Sequence, residues 1–137
     1  MPTVEDLMTK ETVSADIDVF CDKAAKLMTK KGVGALIVNE RGKPVGIVTE
    51  RDFLKMITAK AEDSSKIRLG EIMSKPLVTI GSESTVREAA KLMVDKDIRR
   101  LVVVEDNDLI GIVTIRDITR LLIGSIAEWG KARVTIA

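Results

Sequence analysis

Gly46-Ile47-Val48-Thr49-Glu50-Arg51-Asp52 and Gly111-Ile112-Val113-Thr114-Ile115-Arg116-Asp117 are two copies of one string, 65 positions apart. Each opens with a glycine and β-branched residues, the pattern of a buried strand's end, and passes through Thr-x-Arg-Asp into an amphipathic segment. The string therefore predicts a strand running directly into a helix. Such a junction aims the free N–H groups of the first helical turn, and the positive end of the helix dipole, at whatever lies above the strand, which suits an anion. Thr49-x-x-Asp52 and Thr114-x-x-Asp117 also have the spacing of a capping box, with Thr at N-cap and Asp at N3, and a cap contributes about 1 kcal/mol. Both readings of the tetrapeptide stand. Capping leaves Arg51 and Arg116 unexplained, because a cation in the first turn opposes the dipole, whereas an anionic ligand accounts for them.

The offset extends through the chain without a gap. It pairs Met8 with Met73, Val13 with Val78, Ala24-Ala25-Lys26-Leu27-Met28 with Ala89-Ala90-Lys91-Leu92-Met93, and Leu36 with Leu101. Two copies are too few for a solenoid, so a pseudo-twofold pair packed face against face is expected. In each copy a short helical turn (Val4 to Met8; Leu69 to Met73) precedes a brief extended piece around Val13 or Val78. A helix follows, from about Val19 to Lys31 and from about Thr85 to Lys96. Its apolar positions, Cys21, Ala24, Ala25, Met28 and Val86, Ala89, Ala90, Met93, recur at i, i+3, i+4, i+7 and mark one helix face. Thr85 and Glu88 have capping-box spacing. Next come two strands, Ala35 to Asn39 with Val45 to Thr49, and Arg100 to Glu105 with Leu109 to Thr114. Their turn-rich connections predict hairpins.

The expected division is a first unit at 1–60, a polar linker at 61–68, a second unit at 69–124 and a C-terminal extension at 125–137. In the last helix Gly124 either interrupts at about 1 kcal/mol relative to Ala or marks a break. Arg133-Val134-Thr135-Ile136 alternates like a short strand.

Composition removes several function classes. No histidine is present, which takes away the commonest general base and the usual transition-metal ligand. The single cysteine, Cys21, excludes an internal disulfide; its equivalence to Val86 reads as a core residue, a reactive thiol being the alternative. With 22 Lys+Arg against 21 Asp+Glu, and two Phe, one Trp and no Tyr, the chain lacks the basic footprint and stacking platforms of a nucleic-acid binder. Its apolar runs are far short of a membrane span, and no signal peptide is read, so a cytoplasmic protein is expected.

The duplicated Gly-Ile-Val-Thr-x-Arg-Asp, the Ala-Ala-Lys-Leu-Met of both first helices, the Asp-Leu-Met and Glu-Ile-Met turns, and Ile98-Arg99-Arg100-Leu101-Val102-Val103 together resemble a tandem pair of CBS domains, the Bateman module. The resemblance runs from about Val4 to Leu122. It implies an α/β (α+β) fold of two β-α-β-β-α units about a pseudo-twofold axis, sheets packed together, with two clefts in which adenine nucleotides or adenosyl compounds bind. Carried over residue by residue, Asp52 and Asp117 accept from ribose hydroxyls, Thr49 and Thr114 donate to phosphate, and Arg51 and Arg116 neutralise it. The resemblance further implies that Asp117 shares a cleft with Thr12, Val13, Val33, Gly34 and Ala35, and Asp52 with Leu77, Val78, Ile98 and Arg99. Val13, Val33, Val78 and Ile98 would hold the base, although β-branched residues near strands also serve as plain core. Arg99 and Arg100 are either phosphate contacts or edge charges that discourage aggregation.

The expected function is a regulatory module sensing AMP, ADP or ATP, with no required cofactor, no metal, no catalytic residue and an effector protein outside this sequence. A structural or interaction protein is the first alternative, and a nucleotide hydrolase using Asp52 or Asp117 as base the second. Apolar residues on both second helices, Phe53, Met56, Ile57 and Leu121, Leu122, Trp129, exceed what a two-layer core of this size covers and predict a homodimer.

Overall fold

The computed structural model of the chain describes residues 2–60 and 63–129. In chain order it contains α1 (Val4–Leu7), β1 (Ser14–Asp16), α2 (Cys21–Lys31), β2 (Ala35–Glu40), β3 (Lys43–Thr49) and α3 (Glu50–Lys60). A 3-10 turn (Ser64–Lys66) then leads to α4 (Leu69–Ile72), β4 (Thr79–Gly81), α5 (Val86–Lys96), β5 (Arg100–Glu105), β6 (Asp108–Thr114) and α6 (Ile115–Trp129). The β-α-β-β-α order expected of each repeat is present twice. The fold is mixed α+β, with two three-stranded sheets in the orders β1-β2-β3 and β4-β5-β6.

Local chemistry accounts for the shared geometry. β1 pairs with β2 in parallel and β2 with β3 antiparallel, and β4, β5 and β6 repeat the pattern. Each hairpin closes through two residues at positive φ, Arg41 and Gly42 in one and Asp106 and Asn107 in the other, the backbone of the tight turn whose twist matches its strands. α2 and α5 end on left-handed residues, Gly32 and Asp97, whose N–H groups reach back to the last carbonyls. At the start of α5 the Glu88 N–H donates to Thr85 Oγ1 at 3.1 Å, the cap expected from the sequence.

The compact units do not follow the repeats in chain order. One comprises Glu11–Val78 and holds β1 to β3; the other combines the first ten residues with Thr79 onward and holds β4 to β6. Each repeat has given its opening turn to the other unit. In the first-sheet unit, Cys21, Ala24 and Met28 of α2 pack with Leu36, Val38, Val48, Met56, Ile67 and Leu69, so α4 and the end of the polar stretch supply core. Ile67 is therefore a buried anchor and not linker surface; its carbonyl accepts from Cys21 N–H at 2.7 Å. Cys21 is buried, in keeping with the core reading. In the second-sheet unit Val4 of α1 is fully buried, and its N–H donates to the Ser84 carbonyl at 2.8 Å.

The exchanged turns also cover the outer strands. Ser74 bridges Ile47 of β3, with hydrogen bonds of 2.8 and 3.1 Å, and Thr9 bridges Ile112 of β6, with bonds of 2.8 and 3.0 Å. Each bridge presses a methionine onto a strand glycine. A Cβ on Gly46 would meet Met73 Sδ at 2.7 Å and the Ser74 carbonyl at 2.9 Å, and one on Gly111 would meet Met8 Sδ and the Thr9 carbonyl, both at 2.8 Å. The glycine that opens the repeated string is there for this approach.

α6 runs unbroken through Gly124, which settles that alternative in favour of a continuous helix. The Trp129 side chain and the segment 133–136 lie outside the described residues. Of the helix residues expected to be uncovered, Met56 is buried in the core and Phe53 and Leu121 are half-buried, while Ile57 and Leu122 stand exposed. Met56 is covered because the returning polypeptide brings Ile67 and Leu69 into the cluster that holds it, a contribution invisible in helix periodicity. Gly46→Ala and Gly111→Ala are each expected to lower stability by about 1–3 kcal/mol, because a backbone carbonyl blocks the new methyl. Gly124→Ala, whose methyl enters open space in a helix interior, should raise stability by about 0.4–1 kcal/mol. Urea denaturation of the three variants measures both.

Candidate functional site

Both Thr-x-Arg-Asp strings begin a helix straight from a strand. In α3 the Thr49 N–H donates to Asp52 Oδ2 at 2.8 Å and its hydroxyl lies 3.4 Å from the same oxygen. In α6 the Thr114 N–H donates to Asp117 Oδ2 at 2.8 Å, its hydroxyl donates to that oxygen at 3.0 Å, and the Asp117 N–H donates to Thr114 Oγ1 at 3.2 Å. The capping reading is thus realised in full at Asp117 and in part at Asp52. A third copy of the spacing, Thr3-x-x-Asp6 at α1, makes the same 2.8 Å bond from Thr3 N–H to Asp6 Oδ2. Its signal in the sequence is the same Thr-x-x-Asp spacing at 3–6, outside the repeated string. A cap of this kind occurs where no site is expected, so the cap alone does not define a site.

What separates the two helix starts from α1 is their surroundings. Thr49 is the cross-strand partner of Ala35, and the Glu50 N–H donates to the Gly34 carbonyl at 3.2 Å. Thr114 is likewise the partner of Arg100, and the Ile115 N–H donates to the Arg99 carbonyl at 2.9 Å. Directly opposed residues of an antiparallel pair share a sheet face, so Arg100 stands beside Thr114 and Ala35 beside Thr49. In the first-sheet unit Leu36, Val38 and Val48 fill the helix-packed core, and alternation turns Ala35 and Thr49 to the other face. Val13 adjoins this end of the sheet, its carbonyl accepting from Ile37 N–H at 2.9 Å.

The candidate residues therefore group by unit. Thr12, Val13, Val33, Gly34, Ala35, Thr49, Arg51, Asp52, Leu77 and Val78 belong to the first-sheet unit, and Ile98, Arg99, Arg100, Thr114, Arg116 and Asp117 to the second. Hydrogen bonds and strand pairing join Gly34 and Ala35 to the Thr49 string, and Arg99 and Arg100 to the Thr114 string.

Among the described residues these arginines form no ion pair. The ion pairs among the described residues are Arg68–Asp18 at 3.1 Å and Lys91–Asp95 at 2.7 Å, both exposed, and neither involves Arg51, Arg99, Arg100 or Arg116. Arg51, Arg99 and Arg116 are exposed and Arg100 is half-buried. Asp117 and Asp52 use Oδ2 in their caps, and a carboxylate's second oxygen, Oδ1, has acceptor capacity of its own. A recess of about 630 Å³ lies at the opposite end of the first sheet, lined by residues such as Asp16, Glu40, Arg41 and Arg68. None of the candidate residues lines it. Among the described residues no group of His, Cys, Asp or Glu could hold a metal ion, and no helix is long and apolar enough to cross a membrane.

Two copies of one α+β unit, each starting its last helix with the same polar string, define a tandem module. The CBS domain model matches residues 4–59 and 69–124, and the chain belongs to that family. CBS pairs are regulatory ligand-binding modules. The chain is 35% identical to the CBS domain-containing protein YhcV of Bacillus subtilis, covering 86% of this chain and 84% of that one. It is also 35% identical to the mitochondrial CBS domain-containing protein CBSX3 of Arabidopsis thaliana, over 88% of this chain, and spans 65% of that relative's length. Among solved structures it is similar to a CBS domain pair in complex with 5′-methylthioadenosine and S-adenosyl-L-methionine. There the TM-score is 0.81 and the identity 31%, over 91% of this chain and 98% of that one.

The unequal caps have unequal consequences. Thr114→Val should lower stability by about 1 kcal/mol, because its hydroxyl accepts an N–H of the first turn. Thr49→Val should lower it by less. Denaturation midpoints of the two variants, compared at constant denaturant slope, check this order.

Proposed function

We propose that the chain senses an adenine nucleotide or a related adenosyl compound at the two helix starts and passes the result to an effector protein or to its own assembly. The observation that carries this is the pair of first-turn arginines, Arg51 and Arg116. They oppose the helix dipole, engage no carboxylate among the described residues, and adjoin an open carboxylate oxygen in both units. A ligand with an anionic end and a hydroxyl-bearing end satisfies both groups. The similar CBS pair that holds adenosyl compounds supports the same ligand class. On this reading Asp52 and Asp117 receive ribose hydroxyls, and Arg51 and Arg116, helped by Arg99 and Arg100, face phosphate. Thr49 and Thr114 offer phosphate their hydroxyls once these turn from the cap. Val13, Val33, Val78 and Ile98 hold the base, with Thr12, Gly34, Ala35 and Leu77 as the neighbouring backbone. Regulation is linkage: a ligand that favours one arrangement shifts the population toward it.

No chemistry is proposed. The chain has no histidine and no candidate cluster of metal-binding carboxylates among its described residues, and a CBS pair regulates through binding. A cytoplasmic setting fits the single, buried cysteine.

The assembly proposed is a homodimer. α3 exposes Leu54 at 66% and Ile57 at 64%, and α6 exposes Leu122 at 57% and Ile123 at 59%. Large apolar side chains grouped on a helix mark a partner surface. Light scattering at micromolar concentration should give twice the chain mass, with or without nucleotide; a monomer removes this part of the proposal.

A thermal-shift panel of AMP, ADP, ATP, S-adenosylmethionine and NAD, with GTP as control, identifies the ligand. Saturation at 100 times Kd raises stability by about 2.7 kcal/mol. Failure of every adenine compound favours the interaction-protein reading, for which the Thr3–Asp6 cap is the precedent. Asp117→Asn should lower nucleotide affinity more than about tenfold, through loss of a charge-assisted hydrogen bond, while lowering stability by about 1 kcal/mol or less. Calorimetric titration separates this from a purely structural role, which leaves affinity unchanged.

A further inference from the structure

Both opening turns end on a methionine. Met8 and Met73 close α1 and α4, their N–H groups donating to the Val4 and Leu69 carbonyls at 2.9 Å. The next residue in each case, Thr9 or Ser74, makes the bridge to the outer strand, so the methionine backbone is held from both sides. Its side chain lies on the strand glycine, and the contact is made through sulfur. Sδ is the nearest side-chain atom to the place a Cβ on Gly46 or Gly111 would take, and the Ser74 or Thr9 carbonyl stands beside it. Burial sorts the methionines into two groups. Met28, Met56 and Met93 are 5%, 5% and 2% exposed, whereas Met8 and Met73 are half-buried. An oxidant in solvent therefore reaches the sulfurs that hold the turns before those in the cores.

We propose that Met8 and Met73 are modification sites, oxidised by a hydroperoxide to the sulfoxide, and that this releases the opening turns and bares the outer edges of β3 and β6. In the reaction the Sδ lone pair attacks the peroxide oxygen, and the S–O bond forms as the O–O bond breaks. The proton on the transferred oxygen passes to the leaving oxygen, which departs as water or an alcohol. Sulfur gives up two electrons and the peroxide takes them. The product carries a polar S–O bond where an apolar thioether lay. Turned toward the glycine, the new oxygen meets the Ser74 or Thr9 carbonyl, oxygen against oxygen; turned toward water, it draws the side chain off the strand. Both outcomes loosen the turn at the residue before its bridge. Release leaves Ile47 of β3 and Ile112 of β6 with unpaired backbone groups, the kind of edge on which a second chain can pair.

The test treats the full chain with hydrogen peroxide and follows two quantities. Peptide mass spectrometry gives the sulfoxide at each methionine, and hydrogen exchange reports the Thr9, Ile47, Ser74 and Ile112 amides, all bonded in the two bridges. Met8 and Met73 should be oxidised before Met28, Met56 and Met93, and protection at the four amides should fall about tenfold or more as they are. Met8→Leu combined with Met73→Leu conserves volume and should keep that protection through the same treatment, with Cys21 still present. Met8→Gln combined with Met73→Gln, which puts a polar group at the same places, should show the lowered protection without peroxide. Methionine sulfoxide reductases with a thiol reductant should restore protection in the oxidised wild type. Earlier oxidation of the buried methionines overturns the proposal, as does sulfoxide at Met8 and Met73 with exchange unchanged. An equal loss of protection in the leucine variant also overturns it, and so does a loss that reduction fails to reverse, which marks damage to the fold.

Discussion

Each sheet is closed by a methionine turn lying directly on a strand glycine. Met73 against Gly46 and Met8 against Gly111 are approaches that no side chain at the glycine would permit. Most of the rest follows from them. The turn can come that close only if its backbone pairs with the outer strand, and the Ser74–Ile47 and Thr9–Ile112 bridges supply that pairing. An outer strand with unpaired backbone groups is prone to associate with other chains; here a few residues of turn occupy part of that edge. The same turns bring Leu69 and Val4 into the two units as fully buried side chains.

With the strand fixed, the helix that continues from it has little freedom. Thr49 and Thr114 stand where the sheet ends, and the next N–H is already committed to the carbonyl of residue 34 or 99. A cap and a ligand contact can then share one aspartate, one oxygen for each. That division makes a structural and a functional reading of Thr-x-x-Asp compatible, whereas the arginine of the string has no part in the cap.

The sequence was most legible where one period governs a whole element. The faces of α2 and α5, the hairpins and the strand-to-helix junctions follow from apolar spacing and from turn chemistry at Arg41-Gly42 and Asp106-Asn107. The exchange of the opening turns was not legible, since four-residue helices carry no signal of which distant strand they meet. The burial of Ile67, inside a stretch that reads as polar linker, was hidden for the same reason. Gly124 was ambiguous because propensity alone cannot decide against a long amphipathic helix, and α6 continues through it. At the candidate site the residue types were readable. Their grouping was only partly so: the pairing of Arg100 with Thr114 depends on strand register, which alternation suggests but only the hairpin fixes.

The exchange of turns also orders events during synthesis. Once Val78 has emerged, the first-sheet unit has every strand and both of its buried anchors, Ile67 and Leu69, and can close on contacts within its own stretch. The second-sheet unit cannot. Its Val4 and Met8 precede that stretch in the chain, whereas their partners at Ser84 and Gly111 follow it. Closing so long a loop carries an entropic penalty that grows only slowly with length, so the delay is one of timing more than of energy. During that interval Val4 and Met8 lack their partners while the unit between folds, and non-local contacts of this kind are the slow ones.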